Sequence, residues 1–74
     1  ASDVYKRQIM EFKACREAEL EKMADSAVVQ IKQKGYTTNL EKRGVAKIGM
    51  FGVAFSGKKV NVAYEEYSVK KHRK

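Results

Sequence analysis

The chain has 74 residues, 16 Lys and Arg against 9 Asp and Glu, and a formal net charge of +7. That length allows one small domain with a thin core, since so short a chain buries only about 60 to 65% of its unfolded surface. A single cysteine, Cys15, rules out an internal disulfide and a zinc site made of several thiolates. No run approaches the roughly 18 to 20 apolar residues of a membrane span, so a reducing, cytoplasmic setting without membrane contact is expected.

The positive charge favours polyanionic partners such as nucleic acid, because phosphates neutralised by Lys or Arg release counterions. Lys70, Lys71, Arg73 and Lys74 place four of these charges in a basic tail, residues 68–74. Such a tail is more readily a solvated end than a reader of DNA.

Residues 1–8 (ASDVYKRQ) resemble a translated transposon-type sequencing adapter, whose codons spell Asp-Val-Tyr-Lys-Arg-Gln. Authentic sequence is therefore expected from Ile9, and the preceding stretch is set aside from functional reasoning. Val4 and Tyr5 can equally extend the first strand.

Ile9 to Ala14 alternates as a strand, with Met10 and Phe12 on one face and Ile9, Glu11 and Lys13 on the other. Glu17 to Lys34 predicts a helix, because Leu20, Met23, Ala24, Ala27, Val28 and Ile31 form one apolar stripe that Gly35 is placed to end. Phe12 is expected to pack against the Leu20, Ala24 and Ile31 stripe, and Met10, Met23 and Met50 fit core positions. Thr37, Thr38 and Asn39 are cap-type residues ahead of a short helix or turn at Leu40 to Arg43.

Val45 to Phe55 and Lys58 to Glu65 are rich in β-branched and aromatic residues, and Ser56-Gly57 between them predicts a tight hairpin. Gly49 and Gly52 either weaken the first of these strands or mark a close approach by another segment. The order strand, helix, short helix, strand, strand implies a right-handed crossover, a parallel first pair and an antiparallel hairpin partner. The expected fold is a two-layer α/β arrangement with a mixed sheet.

Glu11-Phe12-Lys13 is the triplet with most chemistry. One intervening residue on a strand sets carboxylate and ammonium on the same face, roughly 6 to 7 Å apart. The carboxylate can bind a hard divalent cation, and the ammonium can orient a water or stabilise charge on a phosphate. Alone, the same spacing describes a surface ion pair. Cys15 is expected to be a buried inert thiol, and His72, the one histidine, a solvated tail residue.

Ile9-Met10-Glu11-Phe12-Lys13, then Ala27-Val28-Val29-Gln30-Ile31 with Tyr36 following, then Gly52-Val53-Ala54-Phe55-Ser56-Gly57-Lys58-Lys59 together resemble one family. It is the PD-(D/E)XK nuclease-superfamily domain found behind an AAA-ATPase-like domain in many bacterial proteins. The resemblance covers about Ile9 to Tyr64, and Val28 stands where that family usually has leucine. It implies the C-terminal half of a restriction-endonuclease-like domain over residues 9–67. The implied function is that of a Mg²⁺-dependent, DNA-binding hydrolase in the complete domain, with an AAA-ATPase-like domain in cis.

By the same resemblance, Glu11 matches the second acidic metal ligand and Lys13 the catalytic lysine, while Gln30 and Tyr36 match the helix-borne glutamine and the tyrosine after it. Gln30 can equally be a partly exposed helical residue, and Tyr36 a packing residue at the helix end. The strand carrying the first acidic residue of the motif has no counterpart. Asp3 cannot replace it, because eight strand steps put it about 26 Å from Glu11. The expected product is a fragment inactive by itself and prone to self-association through exposed strand edges. The alternative is a non-catalytic basic binding or assembly module attached to an ATPase-like domain.

Overall fold

The structure, a computed structural model, describes residues 6–35, 38–39 and 42–68. Strand β1, Lys6–Ala14, leads through a 3-10 turn at Glu17–Glu19 into helix α1, Leu20–Gln33, followed by strands β2, Lys47–Ser56, and β3, Lys59–Ser68. The sheet order is β1-β2-β3, with β1 parallel to β2 and β2 antiparallel to β3. This is the expected two-layer α/β fragment with a mixed sheet, consistent with a restriction-endonuclease-like fold.

Helix α1 forms where apolar residues recur at helical spacing, and Ala24, Ala27, Val28 and Ile31 of that stripe are buried. Glu17, Glu19 and Glu21 gather at its start, where the helix dipole favours negative charge. At the other end the Lys34 N–H donates to the Gln30 carbonyl, and Gly35 takes a φ of 78°, the left-handed conformation that stops a helix and suits glycine best. The predicted helix end at Lys34 and Gly35 is therefore correct. Of the short second helix, Thr38, Asn39 and Lys42 are helical, while residues 40 and 41 lie outside the described set.

The β2–β3 hairpin closes with Ser56 opposite Lys59, so its two-residue loop is Gly57-Lys58, one position later than the sequence suggested. Gly57 has a φ of 61°, and among the described residues no non-glycine residue has a positive φ. That is the pattern of a type II′ turn, whose twist matches that of the flanking strands.

The core consists of Val28 and Ile31 from α1, Val45 from the loop before β2, and Ile48 and Met50 from β2, with Ile9 and Ala63 packed against it. All of it lies on one face of the sheet. Gly52 explains why α1 can settle there. A Cβ at Gly52 would stand 2.1 Å from the Ala24 carbonyl oxygen and 2.9 Å from the Ala27 methyl. The helix backbone thus rests almost directly on the β2 backbone, the close approach the glycine pattern left open.

The register then decides which residues of β1 lie under the helix. Glu11 is opposite Gly52 and Lys13 opposite Ala54, whereas Met10 and Phe12 align with Phe51 and Val53 on the far face. The expectation that Phe12 packs against the helix is therefore wrong. Phe12 is 61% exposed and Met10 is 54% exposed, so Met10 is not a core residue either. Alternation sorted the strand correctly into two faces, but the helix chose the face whose β2 partners are glycine and alanine.

Candidate functional site

Glu11 and Lys13 are both half-buried and share the helix-facing side of β1, as a spacing of two on a strand requires. Their nearest chain neighbours differ in surroundings: Phe12 faces the uncovered side of the sheet, and Cys15, half-buried, donates its backbone N–H to the Phe55 carbonyl at 3.0 Å.

The partner of Glu11 comes from the end of α1. The Lys34 ammonium lies 3.3 Å from one carboxylate oxygen of Glu11 and 3.4 Å from the other, so it straddles the group. The Glu11 side chain is 22% exposed and that of Lys34 46%, which makes this a partly shielded pair. Side chains on a helix lean toward its N-terminus, and this is how Lys34, at the C-terminal end, reaches back over β1. Gln30 is half-buried one turn earlier, at the i,i+4 spacing that puts it on the same side of the helix as Lys34.

A second tie holds the other flank of that turn, where Lys32 and the Glu65 carboxylate of β3 meet at 2.7 Å. A third joins Lys59, at the start of β3, to Glu17 in the turn before α1. These two exposed ion pairs link the turn before α1 and the last turn of α1 to β3.

The geometry brings Glu11 and Lys13 together on one strand face and sets Gln30 on the helix above the same sheet face. Tyr36 and His72 lie outside the described residues, as do Asp3 and residues 69–74 of the basic tail, whose first residue, Ser68, ends β3. The sequence pattern does not single out Lys34, because it reaches Glu11 only across 23 positions of chain. Among the described residues, one shallow cleft of about 190 Å³ is lined by Asp25, Val29 and Glu65 among others, and another of about 60 Å³ lies beside Arg7, Lys47 and Glu66. Neither includes Glu11 or Lys13.

Among the described residues no three of His, Cys, Asp and Glu come together as a metal-holding group. Glu11 is a single carboxylate, and both its oxygens face an ammonium. A divalent cation needs several oxygen ligands around one point, so the described residues do not by themselves fit a resident metal.

A three-stranded mixed sheet with one covering helix, and with Glu11 and Lys13 on the covered face, is an α/β arrangement consistent with a restriction-endonuclease-like fold. The family model of the PD-(D/E)XK nuclease superfamily matches residues 2–65. The chain belongs to that superfamily. No curated protein and no solved structure matches it. No helix among the described residues is long and apolar enough to cross a membrane.

Proposed function

We propose that this chain supplies the Glu-x-Lys half of a phosphodiesterase site in a metal-dependent nuclease domain and is inactive by itself. The observation that carries the reading is the placement of Glu11 and Lys13 on one face of β1, with Gln30 on the helix covering that face, in a chain of the PD-(D/E)XK superfamily. Glu11 would contribute one carboxylate toward Mg²⁺, and a preceding strand of the complete domain would contribute the first acidic residue.

Lys13 acts on charge. Its ammonium projects on the same face as the carboxylate, where it can stabilise negative charge that grows on a phosphate as its ester bond breaks. The net charge of +7 supports a nucleic-acid substrate through counterion release. Tyr36 completes the proposed set with Gln30, an AAA-ATPase-like domain in cis is the proposed neighbour, and the proposed compartment is the cytoplasm.

The test is cleavage of labelled DNA and RNA with Mg²⁺ by residues 1–74 and by the completed parent domain. The short chain is expected to show no Mg²⁺-dependent cleavage, and the parent to cleave if its preceding strand carries Asp. In the parent, Lys13→Ala lowers turnover about 100-fold or more with little loss of nucleic-acid affinity, the signature of an interaction made chiefly in the transition state. Glu11→Ala abolishes cleavage. Equal cleavage with both residues replaced would remove the active-site assignment and leave the binding or assembly module, a reading favoured by one observation: Glu11 already has an ion-pair partner in Lys34.

A further inference from the structure

The face of the sheet turned away from α1 is apolar across all three strands. Register aligns Met10, Phe51 and Tyr64 in one row and Phe12, Val53 and Val62 in the next, with Phe55 opposite Val60 beyond them. No charged residue interrupts these rows, and most of their side chains are exposed among the described residues. We propose that this face is a self-association surface, closed by the same face of a second copy into a sandwich of two sheets with a helix on each outer side. The surface lies across β1 from Glu11 and Lys13, so its role is independent of the function proposed above.

Area favours a second copy. The six side chains Met10, Phe12, Phe55, Val60, Val62 and Tyr64 are 37% to 61% exposed. With about 150 to 250 Å² for each aromatic ring and somewhat less for each aliphatic chain, they present about 600 Å² per copy, so two such faces would bury about 1,200 Å², the lower end of a standard specific interface. A patch of that size is at the upper limit for a monomer, and a parallel pair such as β1 and β2 is ordinarily covered on both faces.

Charge and shape point the same way. A face without charge at its centre offers a polyanion nothing to pair with, whereas an identical apolar face matches it and leaves the cations of both copies in solvent. The Phe51 and Tyr64 rings, with centroids 4.7 Å apart, form a ridge beside the lower row of Val53 and Val62. Such relief lets side chains of two aligned sheets interlock at a spacing of about 10 Å. Pairing along the edge of β1 would leave all of this area in water.

The experiment combines sedimentation equilibrium of the 74-residue chain over a range of concentration with isotope-filtered NOE spectra from a mixture of labelled and unlabelled chains. Phe12→Lys and Val62→Lys put a charge on the face, and Val29→Lys makes the same kind of change at an exposed position of α1. Amide shifts of Ile31, Ile48 and Met50 report that each variant keeps its core. The unaltered chain is expected to dimerise reversibly, with NOEs between copies at the methyls of Val53 and Val62. Each face lysine should raise the dissociation constant about tenfold or more, because the dimer would bury two unpaired ammonium groups. Val29→Lys, measured at high salt, should leave it unchanged.

A monomer at every concentration overturns the inference, as does association that neither face lysine weakens. NOEs between copies confined to the outer edge of β1 overturn it in favour of edge pairing. Should a face lysine disrupt the core, the spectra of the unaltered chain decide alone: contacts between copies at Val53 and Val62 uphold the facial dimer, and their absence from an associating sample overturns it.

Discussion

Glu11 and Phe12 are adjacent in the chain and live in opposite surroundings. The carboxylate is half-buried beneath the end of α1 and held by Lys34, while the phenyl ring is 61% exposed on the other side of the sheet. A side chain that leaves water so little contributes only a fraction of the roughly 1.5 to 3 kcal/mol that full burial would provide. Phe12→Ala is therefore expected to lower stability by less than about 1 kcal/mol, measured by urea denaturation. A loss of about 3 kcal/mol or more, the value for a buried phenylalanine, would mean that the ring is covered after all. The sequence alone paired Glu11 with Lys13 on a common face correctly, because that relation depends only on the two-residue period of a strand. It could not find Lys34, which meets Glu11 across 23 positions of chain.

At the scale of elements, the contact between α1 and β2 determines the layer spacing. Gly52 is opposite Glu11 on β1 and Ala63 on β3, at the middle of the covered face. An added methyl there would overlap the Ala24 carbonyl, which is helix backbone and cannot rotate away. Gly52→Ala should therefore lift α1 off the sheet and cost about 3 kcal/mol or more, at or above the upper end of overpacking penalties. The same displacement would separate Lys34 from Glu11. Loss of the cooperative thermal transition in circular dichroism is the expected result, and an unchanged melting temperature would contradict this account of the packing. Gly49 offers the contrast, since an added Cβ there would meet the Tyr64 ring at 3.2 Å, a side chain that can shift. Gly49→Ala should be the milder of the two substitutions.

At the scale of the whole molecule, among the described residues, helix α1 covers one face of the three-stranded sheet, and the other face carries Met10, Phe12, Phe55, Val60, Val62 and Tyr64, all exposed. Parallel strand pairs are ordinarily covered on both faces. Among the described residues β1 also has a single neighbour, β2, so its outer edge presents backbone donors and acceptors to solvent. A second copy pairing along β1 would satisfy that edge and extend the apolar face of the first. Light scattering is expected to show mass rising with concentration, and more steeply in salt that screens the +7 charge. A monomer at every concentration and salt level would argue against association. A charged residue at the centre of the bare face, as in Phe12→Lys, should reduce association while leaving the α1–β2 core intact.

The sequence by itself determined the elements and their internal order: the strand around Glu11, the apolar stripe of α1, the stop at Gly35 and the hairpin at Gly57 all follow from local periodicity and backbone preference. It also determined that Glu11 and Lys13 share a face, and its motifs carried the family resemblance over most of the chain. Tertiary structure alone decided which face of β1 the helix covers. A period of two divides a strand into two sets without saying which is inside, and here the choice fell to the close seat that Gly52 and Ala54 offer on β2. That seat turned Phe12 outward and put Glu11 under the helix end, within reach of Lys34, because contacts between distant segments depend on register and layer spacing, which no local pattern encodes.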